Sequence, residues 1–435
     1  MIGPPATETS RNHLIRWQTL TVALLVAGYA GYYLCRSNLS VCLPLIVADL
    51  TRQGMSADAA RVRLGSIASI GVLAYAIGKF PSGNLADLFG GRRNFLCGMG
   101  GSIAFTLLFA ASGSLPLFTL AWMGNRLVQS LGWAGAVKVT SKWFAFRQYG
   151  TVMAIVSLSF LFGDALARQF MSLLIARGVS WRGVFAVGAL VLGALFAACY
   201  ALLRESPNEI GEKEAAANLA NLFAKERGSE SSQRFAALVG PLIRSGVFWL
   251  ACALSLGTTI LRETFGLWTP TYFTQAAGMT AAQAAGNSAL FPFFGGISVI
   301  LCGWLSDRLG PIGRAALMTV GLGLATVALV VLGLAWMPAA PIWRVILVAV
   351  VGFLTIGPYS FLAGAIALDF GGKQGSGTAS GVIDGIGYLG GVFSGDSMAR
   401  ISIRYGWSGA FLVLAGIALL SSAAAGIFAL RQKKA

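Results

Sequence analysis

Twelve long apolar segments dominate this sequence of 435 residues. An α-helix of about 20 apolar residues is long enough to cross the hydrocarbon core of a bilayer. The chain is 56% hydrophobic and only 11% charged, whereas soluble domains carry about 25% charged residues. The sequence therefore predicts an all-α membrane protein, embedded in a lipid bilayer by twelve transmembrane helices. The segments cover residues 18–48, 64–86, 94–113, 115–143, 149–176, 182–203, 244–275, 283–306, 315–336, 341–368, 376–402 and 407–430.

One polar stretch divides the chain into two halves. Residues 204–243 mix both signs of charge and are typical of a cytoplasmic linker. The predicted organisation is an N-terminal tail (1–17), a six-helix bundle (18–203), the linker, a second six-helix bundle (244–430) and a short tail (431–435).

The net charge of +16 is unevenly distributed. Lysine and arginine concentrate in the two tails, the linker and every second loop. This distribution argues against nucleic-acid binding, and the positive-inside rule places both termini in the cytoplasm. We therefore expect a multi-pass protein of the cell (inner) membrane, and we expect it to be a monomer.

The residues needed for most enzyme chemistry are missing from the apolar segments. The only histidine is His13, in the N-terminal tail, and the six cysteines lie in predicted helices without a CxxC motif. No nucleophile–base pair, metal-ligand cluster or phosphate-binding loop is present. The sequence predicts a protein that is not an enzyme and holds neither a cofactor nor a metal ion.

Several motifs occur twice, once in each half, which is typical of transporter repeats. GNLADLFGGRR begins at Gly83 and GWLSDRLGPIGR at Gly303, while GDALAR and GDSMAR begin at Gly163 and Gly395. The Gly-x-Leu-(Ala/Ser)-Asp pattern resembles the signature loop of the major facilitator superfamily, which implies a gating role. The implied gating residues are Gly83, Asp87, Arg92, Gly303 and Asp307.

Arg36 and Arg262 lie inside predicted membrane helices at corresponding places in the two halves. A charge near the bilayer centre costs about 3 kcal/mol on insertion scales, so it normally faces a cavity or a partner. Arginine binds phosphate or carboxylate through two parallel hydrogen bonds. We interpret the pair as one central anion site. The alternative for Arg36 is that its side chain extends to the membrane interface.

Further polar residues share helix faces with these arginines. Tyr29 and Tyr33 lie on the face of Arg36, and Tyr75 and Lys79 are spaced i, i+4. Lys79 is a third candidate cation, although it could instead contact lipid headgroups. Arg126, in a stretch that resembles the fourth-helix motif of the superfamily, is a candidate for anion binding or proton coupling.

The acidic residues of the predicted membrane helices allow two interpretations. Glu263 follows Arg262 directly, and either neutralises a cation or takes a proton during transport. Asp384 has no obvious local partner and is a functional candidate. Two i, i+4 pairs are expected to be structural or gating pairs: Asp164 with Arg168, and Asp396 with Arg400.

The chain also resembles the organophosphate:phosphate antiporter family. The resemblance is carried by GYAGYYLCRSNLSVCLP, YAIGKF, LRETFGLWTPTYF and GTASGVIDGIGYLGG. It implies exchange of a small organic phosphate for inorganic phosphate. Phe160 stands where well-known members have a histidine. The implied substrate-binding residues are Arg36, Arg262, Lys79, Tyr29, Tyr33, Tyr75 and Tyr388.

Two other functions fit parts of the sequence. RSNLSV, from Arg36, resembles the first helix of the anion:cation symporters, in which case Glu263 or Asp384 would carry a coupling proton. A sensor of phosphate esters would keep the same arginines without transporting.

Overall fold

The computed structural model describes residues 8–144, 146–214, 242–309 and 311–432. This part of the chain is helical, with short turns and loops between the helices. Most of the predicted linker, 204–243, lies outside the described residues. The helices are α1 (Glu8–Tyr32), α2 (Asn38–Arg52), α3 (Ala57–Phe89), α4 (Gly91–Ala111), α5 (Leu115–Trp143), α6 (Phe146–Ala176), α7 (Trp181–Leu202), α8 (Gly246–Ala276), α9 (Ala281–Ser288), α10 (Leu290–Leu309), α11 (Pro311–Gly333), α12 (Pro341–Ser360), α13 (Ala367–Gly391) and α14 (Asp396–Gln432).

These helices account for the twelve predicted segments, although four segments are interrupted. The first is broken between α1 and α2 by a 3-10 turn at Tyr33–Cys35. The eighth is divided into α9 and α10. The tenth is broken between α12 and α13 by a π-helical turn at Leu362–Ile366. The eleventh spans α13 and the start of α14, with a 3-10 turn at Val392–Ser394, and α14 bends at Gly406, where φ is 67°.

Nine spans in the described residues are long and apolar enough to cross a membrane. The long helices α5 and α8 are not among them. Both carry inward polar side chains, including Asn125, Arg126 and Gln129 on α5 and Arg262 and Glu263 on α8. Polar side chains of this kind are tolerated in a membrane where they face a cavity or a protein partner.

The chain alternates direction, so the loops gather at two ends. Loops 53–56, 112–114, 177–180, 277–280 and 334–340 lie at one end, and the described chain termini lie at the other. Contacts between sequence-distant residues support this arrangement: Arg182 Nη2 donates to the Ser112 carbonyl (3.1 Å) at the first end, and Gln18 Nε2 donates to the Trp143 carbonyl (2.9 Å) at the second.

The two halves join at the first of these ends, which we call the closed end. On one side α3 meets α14: Arg61 Nη2 donates to Ser402 (2.7 Å), and Ser66 Oγ donates to Asp396 (2.7 Å). Gly65 lies directly against Gly395, where a Cβ would come within 2.8 Å of the Gly395 carbonyl oxygen. Glycine thus permits close backbone contact between the halves.

On the opposite side of the closed end, α6 meets α9. Gln169 Nε2 donates to the Gly286 carbonyl (3.0 Å), and Ser172 Oγ donates to the Ala282 carbonyl (2.7 Å). Among the described residues, hydrogen bonds between the halves extend from the closed end only as far as Lys79 and Asp384. The described hydrogen bonds between the halves therefore concentrate towards the closed end.

Glu205, just after α7, stabilises the first half at the end where the described chain termini lie. Its carboxylate accepts hydrogen bonds from the backbone N–H groups of Gly91 (2.9 Å) and Arg92 (2.6 Å) and from Lys142 Nζ (2.8 Å). It therefore stabilises the N-terminus of α4, where an anion complements the helix dipole. Burial would raise the pKa of Glu205, but the hydrogen bonds from Lys142, Arg92 and Gly91 hold that pKa below its usual value.

Because the folded pKa of Glu205 is lowered, its stabilisation is present above the unfolded pKa of about 4.3 and is lost as pH falls through the folded pKa. We expect Glu205→Gln to lower the Tm of the detergent-purified protein by roughly 2–4 °C at pH 7. The difference from wild type should shrink near pH 4. Exposed Glu214 provides the control as Glu214→Gln. A difference that does not change with pH would contradict this role.

Candidate anion-binding site

A cavity lies between the two halves, on the termini side of the closed end. Its volume of about 110 Å³ is enough for several water molecules or a small anion. Helices of both halves contribute to its wall. The polar lining consists of Tyr33, Arg36, Ser37, Ser40, Arg126, Asp164, Arg168, Arg262, Glu263 and Ser394, and the apolar lining includes Phe160, Trp122, Phe291 and Pro292.

The break between α1 and α2 places Arg36 at the cavity. A broken helix leaves backbone carbonyls without helical partners, and in a membrane these must be satisfied by protein. Asn125 Nδ2 and Gln129 Nε2 on α5 both donate to the Cys35 carbonyl, at 2.7 and 3.2 Å. The polar residues of α5 therefore support the irregular turn that carries Arg36.

Arg36 lies against aromatic rings and has no carboxylate partner among the described residues. Its guanidinium carbon is 4.6 Å from the ring centre of Tyr75 and 5.3 Å from that of Tyr33. Contacts with ring faces orient an arginine by cation–π attraction without neutralising it. Arg36 therefore retains its positive charge for a ligand.

Arg262 enters the same cavity from α8. Its Nη2 donates to Glu263 (2.7 Å) and to the Tyr388 hydroxyl (3.1 Å), while its buried Nε has no partner among the described residues. The guanidinium carbon also lies 4.6 Å from the Tyr359 ring centre. Glu263 thus neutralises Arg262, even though neighbouring helical residues point about 100° apart.

Lys79 and Asp384 form an ion pair beside the cavity, towards the termini end. Lys79 Nζ donates to Asp384 Oδ2 at 2.5 Å, and the Tyr359 hydroxyl lies 3.4 Å from the other carboxylate oxygen. The rings of Tyr75 and Tyr388 are 5.1 Å apart and both face Lys79. Asp384 therefore has its partner in the other half of the chain, which local spacing could not reveal.

Both predicted i, i+4 ion pairs are present. Arg168 Nε donates to Asp164 at 2.9 Å, and Arg400 Nε donates to Asp396 at 2.8 Å. Their environments differ, because Arg168 is 3% exposed and reaches the cavity, whereas the Arg400 side chain is 64% exposed at the closed end.

The remaining predicted residues lie away from the cavity wall. The Tyr29 ring packs behind Tyr33, with ring centres 6.4 Å apart, and against Trp133 at 5.4 Å. Arg92 Nη2 donates to the Tyr200 carbonyl (2.5 Å). A Cβ on Gly303 would meet no atom within 4 Å. The surroundings of three motif residues fall outside the part that the structure describes: Gly83, Asp87 and Asp307.

Sequence reasoning missed Ser37 and Tyr359. The Ser37 hydroxyl donates to Asp164, which connects the turn carrying Arg36 to the Asp164–Arg168 pair. Tyr359 lies over Arg262 and beside Asp384. Pro358 precedes this tyrosine inside α12, and a proline within a membrane helix was the available signal of irregular backbone near a site.

The arrangement places basic side chains of both halves on one cavity, within a helical scaffold whose apolar spans are long enough to cross a membrane. Residues 25–395 match the Major Facilitator Superfamily. The chain belongs to the Major Facilitator Superfamily. It is therefore a multi-pass membrane transporter and not an enzyme.

Similar proteins align over almost the whole chain. It is 26% identical to the glycerol-3-phosphate transporter of Bacillus subtilis, over 91% of this chain and 88% of that protein. It is 27% identical to a probable hexose phosphate transport protein of Chlamydia pneumoniae (93% and 90% covered) and 26% identical to the membrane sensor protein UhpC of Salmonella typhimurium (93% and 90%).

Solved structures of other transporters share the fold. A bacterial homologue of the human lysosomal transporter Spinster, in an inward-facing unoccupied conformation, has a TM-score of 0.70 at 14% identity, covering 95% of this chain and 96% of that one. A similarity at this identity concerns the fold alone. The predicted major facilitator fold, with twelve helical segments, is confirmed.

Proposed function

We propose that this protein exchanges small organic phosphates for inorganic phosphate across the membrane. The observation that carries the proposal is the entry of Arg36 and Arg262, one from each half, into a single cavity. An arginine on each side of the cavity can donate two parallel hydrogen bonds to a phosphate group. The names of the relatives, a glycerol-3-phosphate transporter and a probable hexose phosphate transport protein, support an organic phosphate as substrate.

The proposed mechanism is alternating access. An anion held by Arg36 and Arg262 draws the halves together, because the two arginines belong to different halves and donate hydrogen bonds to the same ligand. The empty carrier lacks this bridge, so it passes through the occluded form slowly. Transport in one direction then depends on return with another anion, which is exchange.

The orientation follows from the positive-inside rule. With both termini in the cytoplasm of a cell with an inner membrane, the closed end faces outward and the opposite end faces inward. The contacts between the halves then close the protein on its outward side. Lys79, with Asp384 as its counter-ion, lies on the route between the cavity and the cytoplasm.

Closure at the Gly65–Gly395 contact provides a test of this cycle. We expect Gly65→Ala to hinder the outward-closed conformation, because the new Cβ would lie 2.8 Å from the Gly395 carbonyl oxygen. Overpacking of about 1–3 kcal/mol should slow phosphate exchange in proteoliposomes roughly tenfold. Gly113, also at the closed end, has no atom within 4 Å of the position that a new Cβ would take, so Gly113→Ala is the matched control. Equal rates for the two variants would contradict the close contact.

A second candidate is proton-coupled uptake of organic carboxylates. It is favoured by Glu263, a carboxylate that lines the cavity and pairs with Arg262 at 2.7 Å. Protonation of Glu263 would release Arg262 for a substrate carboxylate. A phosphate-ester sensor is the third, because one relative is a membrane sensor protein.

One experiment separates the three candidates. Purified protein is reconstituted into liposomes, and uptake of labelled phosphate, phosphate esters and sugar acids is measured with and without internal phosphate. Exchange predicts uptake of phosphate and phosphate esters that requires internal phosphate. Uptake of sugar acids driven by a pH gradient into empty liposomes would replace the proposal with symport. Binding of a phosphate ester without any uptake would replace it with sensing.

A further inference from the structure

We infer that Arg126 is a third phosphate-binding arginine, the second from the first half of the chain, and that the cavity therefore selects doubly charged phosphate monoesters over singly charged anions of the same shape. This inference rests on the proposed function and specifies its substrate class. It also gives a function to a buried cation that the Arg36–Arg262 pair does not require.

The position of Arg126 supports its role in binding phosphate. It lies on α5 between Asn125 and Gln129, which hold the turn that carries Arg36. Its guanidinium carbon is 4.8 Å from the ring centre of Tyr75, and that of Arg36 is 4.6 Å from the same ring. Two guanidinium groups therefore flank one ring and line one cavity.

Arg126 is almost completely buried but unpaired. The residue is 3% exposed, and no carboxylate or hydrogen-bond acceptor contacts its guanidinium among the described residues. A buried charge without a partner is costly, and such charges inside membranes normally belong to a substrate or ion site. Because Arg126 lines the cavity, a bound anion is the partner that its N–H donors can reach.

The charges of the cavity lining support the preference for a doubly charged anion. Four arginines and two acidic residues line it. Asp164 neutralises Arg168, and Glu263 neutralises Arg262. Within the described lining, Arg36 and Arg126 remain without counter-ions. Lys79 does not add to this excess, since it is paired with Asp384.

Two unpaired positive charges are matched by a dianion. A phosphate monoester carries about −1.5 to −2 charges at pH 7, because its second pKa is about 6. A sulfate ester or a carboxylate group carries a single charge and would leave one guanidinium without a counter-ion. The low-dielectric surroundings enlarge that difference. The first half of the chain would therefore hold the dianion through two arginines, and Arg262 would complete the shell.

A pair of esters of equal shape tests this inference. Hexose 6-phosphate and hexose 6-sulfate compete with labelled inorganic phosphate for the purified protein at pH 7.5, and the ratio of their inhibition constants is measured. We expect wild type to prefer the phosphate ester strongly. Arg126→Gln should weaken binding of the phosphate ester about tenfold or more and change binding of the sulfate ester little. Arg126→Lys should keep most of the preference, because it keeps the charge.

Arg63→Gln is the matched control, since it removes an equal charge from an exposed position outside the cavity. A ratio measured on one preparation does not depend on the fraction of protein that is folded. Equal losses for both esters in Arg126→Gln, or a wild-type protein that binds the sulfate as well as the phosphate, would overturn the inference. The second result needs no variant to fold. A wild-type protein that binds neither ester nor phosphate would instead refute the proposed function.

Discussion

Arg36→Lys and Arg262→Lys are each expected to reduce phosphate exchange at least about 100-fold while the protein still reaches the membrane. Lysine keeps the positive charge but loses the planar pair of N–H donors that grips a phosphate from one side. Losing one charged hydrogen bond, and the orientation that it imposes on the phosphate, costs roughly 3 kcal/mol of binding free energy. This free energy corresponds to about a 100-fold reduction in exchange. The effect should be similar in both variants, because each removes one side of the same site.

The measurement is counterflow of labelled phosphate in proteoliposomes that contain equal amounts of each protein. Arg63→Lys makes the same chemical change at an exposed position outside the cavity and should exchange at the wild-type rate. Normal exchange in either Arg36→Lys or Arg262→Lys would exclude the two-sided arginine site.

Arg168→Gln is expected to open the closed end. The Arg168 guanidinium donates to Asp164 (2.9 Å) in its own half and to Ser288 (3.1 Å) and the Gly266 carbonyl (2.8 Å) in the other. It is 3% exposed, and breaking a buried pair of this kind costs about 3–5 kcal/mol. Because the lost bonds join the two halves only in the closed arrangement, the cost falls on that conformation.

Thiol accessibility measures this opening. Ser172→Cys reports on the α6–α9 contact, where the serine hydroxyl donates to the Ala282 carbonyl at 2.7 Å. In a background without native cysteines, its reaction with a membrane-impermeant thiol reagent should rise at least tenfold when Arg168→Gln is added. Arg400→Gln disrupts the corresponding pair of the second half, which is largely exposed and contributes about 0–1 kcal/mol. It should change reactivity little. Equal reactivity in the two variants would show that Arg168 does not hold the closed end together.

Local pattern was sufficient to predict the helices and the ion pairs that lie within one helix. The lengths of the apolar segments fix the number of membrane crossings, and i, i+4 spacing predicted both Asp164–Arg168 and Asp396–Arg400. The two central arginines were recognisable because a charge in an apolar segment requires an explanation.

Features that depend on packing between distant residues could not be read from the sequence. Lys79 and Asp384 pair across the two halves, and no local spacing connects them. The break at Tyr33–Cys35 turns Arg36 and Tyr33 into the cavity but leaves Tyr29 behind them, whereas a continuous helix would have kept all three on one face. The role of Glu263 could not be predicted, because the sequence does not show whether its carboxylate contacts Arg262. That contact decides whether Arg262 is neutralised before an anion binds.

An experimental structure with a bound phosphate ester tests the central claim most directly. The protein would be purified with a hexose 6-phosphate and its density examined in the cavity between the halves. The two-arginine site predicts phosphate oxygens at about 2.7–2.9 Å from N–H donors of both Arg36 and Arg262. A phosphate group bound elsewhere, or one that contacts neither arginine, would contradict it.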